Sequence, residues 1–214
     1  MLTRKIADST VRRLAIYLRF LEEFDQQGAD TLSSEALAAR AGTTSAQVRK
    51  DLSFFGSFGT RGLGYDVHAL AAELRGILGL NRRYRVVLVG AGRLAGALVQ
   101  YAEFAARGFD IVAAVDKDPV KIGTRWGGVV IADVAHLEEI VRRERVEIAV
   151  IVAPADPAQA LVDRLVASGV TAVLNFAPVQ LHVPPGIDVK NVNLAVELET
   201  LSYAIQHRDT HEGS

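Results

Sequence analysis

The sequence predicts an α/β chain: a small winged helix-turn-helix domain, then a doubly wound parallel sheet, then one further helix. Three observations carry this. The pattern before residue 80 is helical with glycine punctuation. After it, short β-branched runs alternate with helical stretches. The first of those runs leads directly into Gly90-Ala91-Gly92. Strand–helix alternation at that rhythm places helices on both faces of a parallel sheet.

The chain has 214 residues, half of them hydrophobic and 23% charged, enough for two small packed domains. The expected divisions are 1–80 for the first domain, 81–192 for the sheet domain and 193–214 for a C-terminal helix and tail. There is no cysteine. Disulfides and thiolate zinc sites are therefore excluded, no metal site is expected, and any redox sensing must use a bound cofactor. The net charge of −1 does not advertise a nucleic-acid binder, although a dimer can concentrate positive charge on one face. The first twenty residues carry charges and no unbroken apolar run, and no later stretch reaches the length of a membrane span. The expectation is a cytoplasmic protein.

In the first domain, Val11 to Phe24 places Leu14, Leu18 and Leu21 on one face, widened by Ile16, Tyr17 and Phe20. A second helix follows Leu32, with Ser33 or Ser34 as N-cap and Gly42 in the turn beyond it. A third starts at Thr43, Thr44 or Ser45 and runs to about Phe55. The glycine-rich stretch Gly56 to Tyr65 predicts a tight hairpin, and Val67 to Leu78 a closing helix. Phe54, Phe55 and Phe58 are assigned to the core.

In the second domain, strands are predicted at Arg85 to Gly90, Ile111 to Asp116, Ile148 to Val152 and Ala172 to Phe176. Helices are predicted at Leu94 to Ala106, Val134 to Arg142 and Pro157 to Ser168. An extended piece, Ile187 to Val192, precedes a last helix whose Leu194, Leu198, Leu201 and Ile205 share a face.

Gly90-Ala91-Gly92-Arg93-Leu94-Ala95 sits between a strand and a helix, as a dinucleotide phosphate loop requires. The first glycine permits the tight turn, the second lets the backbone approach a pyrophosphate, and Ala95 stands where a third glycine often lies. Free amides of the first helical turn then face the anion. Asp116 ends the next strand, about 25 residues on. Its carboxylate can accept the ribose hydroxyls and would repel a 2′-phosphate, favouring NAD(H) over NADP(H), with Lys117 softening that repulsion. This is the Rossmann arrangement. Glycines used only to turn the chain, or a coenzyme A site on the same loop, are the competing readings.

A hydride-transfer enzyme needs a proton donor beside the nicotinamide. His68, His136, His182, His207 and His211 read as surface histidines, and no substrate-sized domain follows. Ala153-Pro154 and Asn175-Phe176-Ala177-Pro178, at strand ends, read as cofactor-contact loops. Binding is therefore preferred to catalysis.

Helix, turn, helix and a glycine-rich hairpin form the outline of a winged helix-turn-helix, whose second helix enters the major groove. Ser45, Gln47, Arg49 and Lys50 are the candidate DNA contacts, and Arg61 suits a narrow minor groove. A helical oligomerisation module with solvated charges is the competing reading.

Two stretches resemble the Rex family of redox-sensing bacterial repressors closely: Ser45 to Gly56 (SAQVRKDLSFFG) and Gly59 to Tyr65 (GTRGLGY). So do Gly90 to Leu94, Asp116 to Gly123, Leu174 to Pro178 and the tail. The resemblance covers nearly the whole chain. It implies a homodimer whose C-terminal helix is swapped between the domains of the partner, and operator DNA released by NADH in competition with NAD⁺. By position it adds Lys121 and Tyr203 to the cofactor set, Tyr203 approaching the partner's nicotinamide pocket, and Ser53 and Thr60 to the DNA set. Two departures stand out. Family members usually have glycine at Ala95 and aspartate at Asn193. In the family that acid pairs with an arginine that Arg13 matches here, so Arg13 and Asn193 form the implied switch. A small NAD-dependent oxidoreductase and a nucleotide- or coenzyme-A-binding regulatory subunit are the other function classes.

Overall fold

The computed structural model describes residues 6–60 and 62–207, so Arg61 and His211 lie outside the described residues. The chain divides into two compact units, residues 1–82 and 83–214.

In the first unit, α1 (Asp8–Gln26) packs with α2 (Ser34–Ala41), α3 (Ser45–Ser53) and α4 (Val67–Ile77) around one core. Leu14, Tyr17, Leu18 and Leu21 of α1 recur at helical spacing and are all buried. They meet Leu37 of α2, Val48 and Leu52 of α3, and Leu70 and Leu74 of α4. The helix-turn-helix is built by its caps. The Ser33 hydroxyl accepts from the Ala36 amide, Gly42 ends α2 in the left-handed region (φ 63°), and the Thr44 hydroxyl accepts from the Gln47 amide.

The predicted hairpin differs in detail. Thr60 and Gly64 exchange two backbone hydrogen bonds as a single bridge. Beyond them β2 (Tyr65–Asp66) pairs antiparallel with β1 (Thr31–Leu32), tying the base of the wing to the start of α2. The wing is thus one closed turn rather than a ladder. Phe55 and Phe58 pack against the core, but Phe54 is 44% exposed, a correction to its core assignment.

The second unit holds a seven-stranded sheet. Its strands are β3 (Tyr84–Val89), β4 (Phe109–Asp116), β5 (Arg125–Trp126), β6 (Val129–Asp133), β7 (Ile148–Ile151), β8 (Ala172–Asn175) and β9 (Asp188–Asn191). The order is β5-β6-β4-β3-β7-β8-β9, parallel throughout except for the β5–β6 hairpin. Without that hairpin strand it is the doubly wound order in which the chain reverses direction across the sheet at β3. Alternation along β3 feeds both layers. Val87 and Val89 face α7 (Leu137–Arg143) and α8 (Ala155–Ala167). Val86 and Leu88 face the opposite layer with Ala95 of α5 (Arg93–Val99). Such strands read as continuous apolar runs because both faces are covered.

Three further differences appear. The helix expected over Leu94 to Ala106 is two, α5 and α6 (Ala102–Ala106), because the Gln100 amide closes a tight bond to Ala97 and Tyr101 is extended. A 3₁₀ turn, Val134–His136, precedes α7. The β5–β6 hairpin was not predicted. Finally, α9 (Leu194–Gln206) has no buried residue: Leu198, Tyr203 and Ile205 are each about two-thirds exposed. No described helix is long and apolar enough to cross a membrane.

Candidate functional site

A cleft of about 700 Å³ opens at the carboxyl ends of β3, β4 and β7. Parallel α/β sheets bind ligands at this point, where the strand order reverses. Of the predicted cofactor residues, Gly90, Ala91, Gly92, Asp116, Lys121, Ala153 and Pro154 line it. Gly90 has φ 102°, and a Cβ there would sit 3.0 Å from the backbone of Val152 and Ala153. The fold itself therefore requires this glycine. Gly92 differs: its φ is −86°, and a Cβ would meet nothing within 4 Å. Its bare backbone faces open space at the mouth of the loop. Ala95 is fully buried in the sheet layer, and Arg93 and Leu94 are exposed.

Asp116 organises the floor of the cleft. Its Oδ2 accepts from the Ala91 amide (2.5 Å) and lies 3.3 Å from Lys121 Nζ, while Oδ1 accepts from the Asp118 amide (2.9 Å). Burial pushes its carboxyl up, but these donors outweigh it and hold the group below the usual carboxylate range. Oδ1 keeps a lone pair free for a ligand hydroxyl. The apolar wall, Val134, Pro157 and Leu161, escaped the sequence reading, since nothing marks these residues before the chain is folded.

Asn175 holds its own loop in place. Its Nδ2 donates to Val179 O (2.9 Å) and Asn191 Oδ1 (2.9 Å), and its Oδ1 accepts from the Ala177 amide (2.9 Å). It is 1% exposed and knots the loop through Phe176, Ala177 and Pro178 onto β9. None of these four lines the cleft. Tyr203 lies on exposed α9, stacked on His207.

In the first unit, α3 carries Ser45, Gln47, Arg49 and Lys50. Lys50 is exposed and forms no ion pair among the described residues. Arg49 donates to Ser34 Oγ (2.7 Å) and lies 3.3 Å from Glu35, bracing α3 on α2. The Ser53 hydroxyl donates back to Lys50 O. Beneath α3 sits a feature that sequence reasoning missed, the fully buried carboxylate of Asp51. Arg13 grips it with two donors, Nε to Oδ2 (2.6 Å) and Nη2 to Oδ1 (2.8 Å). The Tyr17 hydroxyl donates to Oδ2 (3.0 Å) and Gln47 Nε2 to Oδ1 (2.8 Å). Burial raises the Asp51 pKa, yet the hydrogen bonds from Arg13, Gln47 and Tyr17 bring it below the ordinary value. Burial and the bond to Asp51 push the Tyr17 hydroxyl up to about 12. The implied switch residues are each engaged at home: Arg13 with Asp51, and Asn193 Oδ1 with the amides of Ala195 and Val196 as N-cap of α9.

Residues 5–53 match the family described as "Putative DNA-binding protein N-terminus", and residues 81–179 match the CoA binding domain family. The chain is 45% identical over 212 residues to the redox-sensing transcriptional repressor Rex of Streptomyces coelicolor, covering 99% of this chain and 82% of that protein. The chain belongs to the Rex family of redox-sensing transcriptional repressors. Two solved Rex-family structures agree. RSP in complex with beta-NAD+ and operator DNA has a TM-score of 0.91 at 35% identity, covering 98% of this chain and 97% of that one. RSP in complex with beta-NADH has a TM-score of 0.88 at 34% identity, covering 97% of each. Rex relatives are named as repressors, so the preference for binding over catalysis stands.

Proposed function

We propose that this chain is a repressor that binds operator DNA as a homodimer and leaves it when NADH enters the cleft. The observation that carries the reading is the Gly90–Gly92 loop at the sheet's switch point, with Asp116 positioned beyond it, on the same chain as a helix-turn-helix. The Rex-family structures with NAD⁺, operator DNA and NADH support it. The pyrophosphate would lie against Gly92 and the first amides of α5, with the adenosine ribose on Asp116 and Lys121 at its edge. The loops at Ala153-Pro154 and Asn175 to Pro178 would contact the rest of the dinucleotide.

On the DNA side, Ser45, Gln47, Arg49 and Lys50 would meet the major groove, with Ser53, Thr60 and Arg61 on phosphates and the minor groove. The exposed apolar residues of α9, Leu194, Leu198, Leu201 and Ile205, call for a partner surface, and a swapped helix in a homodimer supplies one. In that arrangement Tyr203 would border the partner's nicotinamide pocket. An apolar wall there favours the neutral ring of NADH over the cationic ring of NAD⁺. The protein would work in the cytoplasm, with residues 1–80 binding DNA, 81–192 binding NAD(H) and 193–214 joining the dimer.

The test is fluorescence anisotropy of a labelled inverted-repeat operator. The protein is titrated first, and NADH is then added over fixed NAD⁺. Binding that NADH reverses and NADPH does not is the expected result. No binding at moderate salt would sink the repressor reading. The match to the CoA binding domain family makes coenzyme A the control ligand: displacement of DNA by coenzyme A but not by NADH would reassign the cleft.

A further inference from the structure

The buried carboxylate beneath α3 acts on Gln47, a residue placed at the DNA surface. Gln47 is the third residue of α3, and Asp51 lies one turn later on the same face. The Gln47 side chain is half-buried, and its Nε2 donates to Asp51 Oδ1 at 2.8 Å. The orientation of this amide follows from charge. Asp51 is ionised, held so by the two-donor grip of Arg13 and the hydroxyl of Tyr17. A carboxylate accepts only, so the amide must turn its NH₂ inward. The reverse orientation would set Oε1 against a buried anion.

We propose that Asp51 fixes Gln47 as a hydrogen-bond acceptor at the DNA surface, so that Gln47 selects a base bearing an exocyclic amine in the major groove. Asp51 is the positioning residue and Gln47 the specificity-determining one. The inference rests on the DNA-binding reading above. Glutamine usually reads adenine with two bonds, its oxygen accepting from N6 and its nitrogen donating to N7. Here one hydrogen of the nitrogen is committed to Asp51, which turns the nitrogen inward and the oxygen outward. Adenine N6 and cytosine N4 both satisfy such an acceptor. Guanine O6 and thymine O4 place a second acceptor against it. The contact therefore discriminates amine from carbonyl and is indifferent to N7. Arg49 carries donors only and cannot take over this acceptor role.

The test uses the full-length protein and a duplex that it selects from a random-sequence library. Each adenine of the selected half-site is replaced in turn by purine, which removes the N6 amine, and by 7-deazaadenine, which removes N7. Each cytosine is replaced by an analogue without the N4 amine. Affinities are measured for the unaltered protein, for Gln47→Ala and for Asp51→Asn. At one position per half-site, loss of the amine should weaken the unaltered protein roughly three- to tenfold, the range of one net hydrogen bond. The same change should leave Gln47→Ala unaffected, as a double-mutant cycle requires. Loss of N7 there should act equally on both proteins. Asp51→Asn lets the amide turn, so its preference for the amine-bearing base should fall at least threefold, beyond any uniform loss of affinity.

The proposal is overturned if Gln47→Ala keeps full sensitivity to amine removal at every position. It is also overturned if the N7 effect depends on Gln47, or if a folded Asp51→Asn loses affinity uniformly with its base preference intact. Should Asp51→Asn not fold, Gln47→Ala decides alone. A protein that selects no sequence at all defeats the DNA-binding reading, and this inference with it. A protein that selects a sequence whose bases ignore Gln47 defeats this inference only.

Discussion

Gly90 and Gly92 stand two residues apart in one loop, and their substitutions should fail in different ways. Gly90→Ala forces a side chain into φ 102° and sets its Cβ 3.0 Å from the backbone of Val152 and Ala153. The conformation costs about 1–2 kcal/mol. Crowding against a backbone that cannot rotate away adds about 1–3 kcal/mol. Gly92→Ala meets neither obstacle, since its φ is ordinary and the space is open. Its only cost to folding is a poorer N-cap for α5, below about 1 kcal/mol. The same methyl lies where a pyrophosphate must approach the backbone, so it should weaken NADH binding at least tenfold, roughly 1.4 kcal/mol. Chemical denaturation measures the first effect and calorimetric titration with NADH the second. Gly90→Ala should lose stability by more than 2 kcal/mol. Gly92→Ala should melt close to the unaltered protein and bind poorly. Unchanged NADH affinity in Gly92→Ala would refute the placement of the pyrophosphate, and full stability in Gly90→Ala would refute the steric argument.

Asp51→Ala should destabilise the first unit by about 2–4 kcal/mol in urea unfolding, because it strands the Arg13 guanidinium and the buried Tyr17 hydroxyl. Because the Asp51 pKa is lowered on folding, its contribution is complete above the ordinary value of 3.8 and disappears as pH falls through the lower folded value. Melting curves taken from pH 5 downwards should show that loss, and its absence in Asp51→Asn would confirm the source. Glu138, held to about 2 chiefly by the two-donor contact with Arg164, should act in the same direction. Glu138 and Arg164 are each one-third exposed, so Glu138→Gln should cost less than about 1 kcal/mol at pH 7. Leu198→Glu, on the exposed face of α9, should convert the proposed dimer into monomers in sedimentation equilibrium without shifting the far-ultraviolet spectrum. Asn193→Asp keeps the N-cap of α9, since both residues cap equally well. It adds only a charge, and should change the factor by which NADH weakens DNA binding more than it changes either affinity alone.

The layers of the fold were legible because they rest on periodicity. Leu14, Leu18 and Leu21 announce α1, and the unbroken Val86 to Val89 run announces a strand covered on both faces. The caps Ser33, Gly42 and Thr44 are local chemistry and could be read, to within the choice of one residue. What escaped depends on tertiary partners. The break between α5 and α6 falls at Val99-Gln100-Tyr101, where no glycine or proline marks it. The β5–β6 hairpin is too short for alternation to register, although Gly127-Gly128 supplies its turn. In the site, the phosphate loop was visible as a motif, but the inward pull on Gln47 was not. A lone aspartate in a charged helix reads as solvated, and only the fold brings Thr10, Arg13 and Tyr17 around it.

That buried carboxylate bears on how a dinucleotide signal can reach the DNA surface. Release by NADH needs two states that NADH and operator DNA stabilise differently, and the coupling must be reciprocal. An arginine that leaves Asp51 for a charged partner elsewhere would strand a buried anion, a change costing several kcal/mol and felt at once by Gln47. Any exchange of Arg13 between partners must offset that cost. A switch that kept the Asp51 network whole would leave Gln47 as it stands, so the signal would change affinity without changing sequence preference.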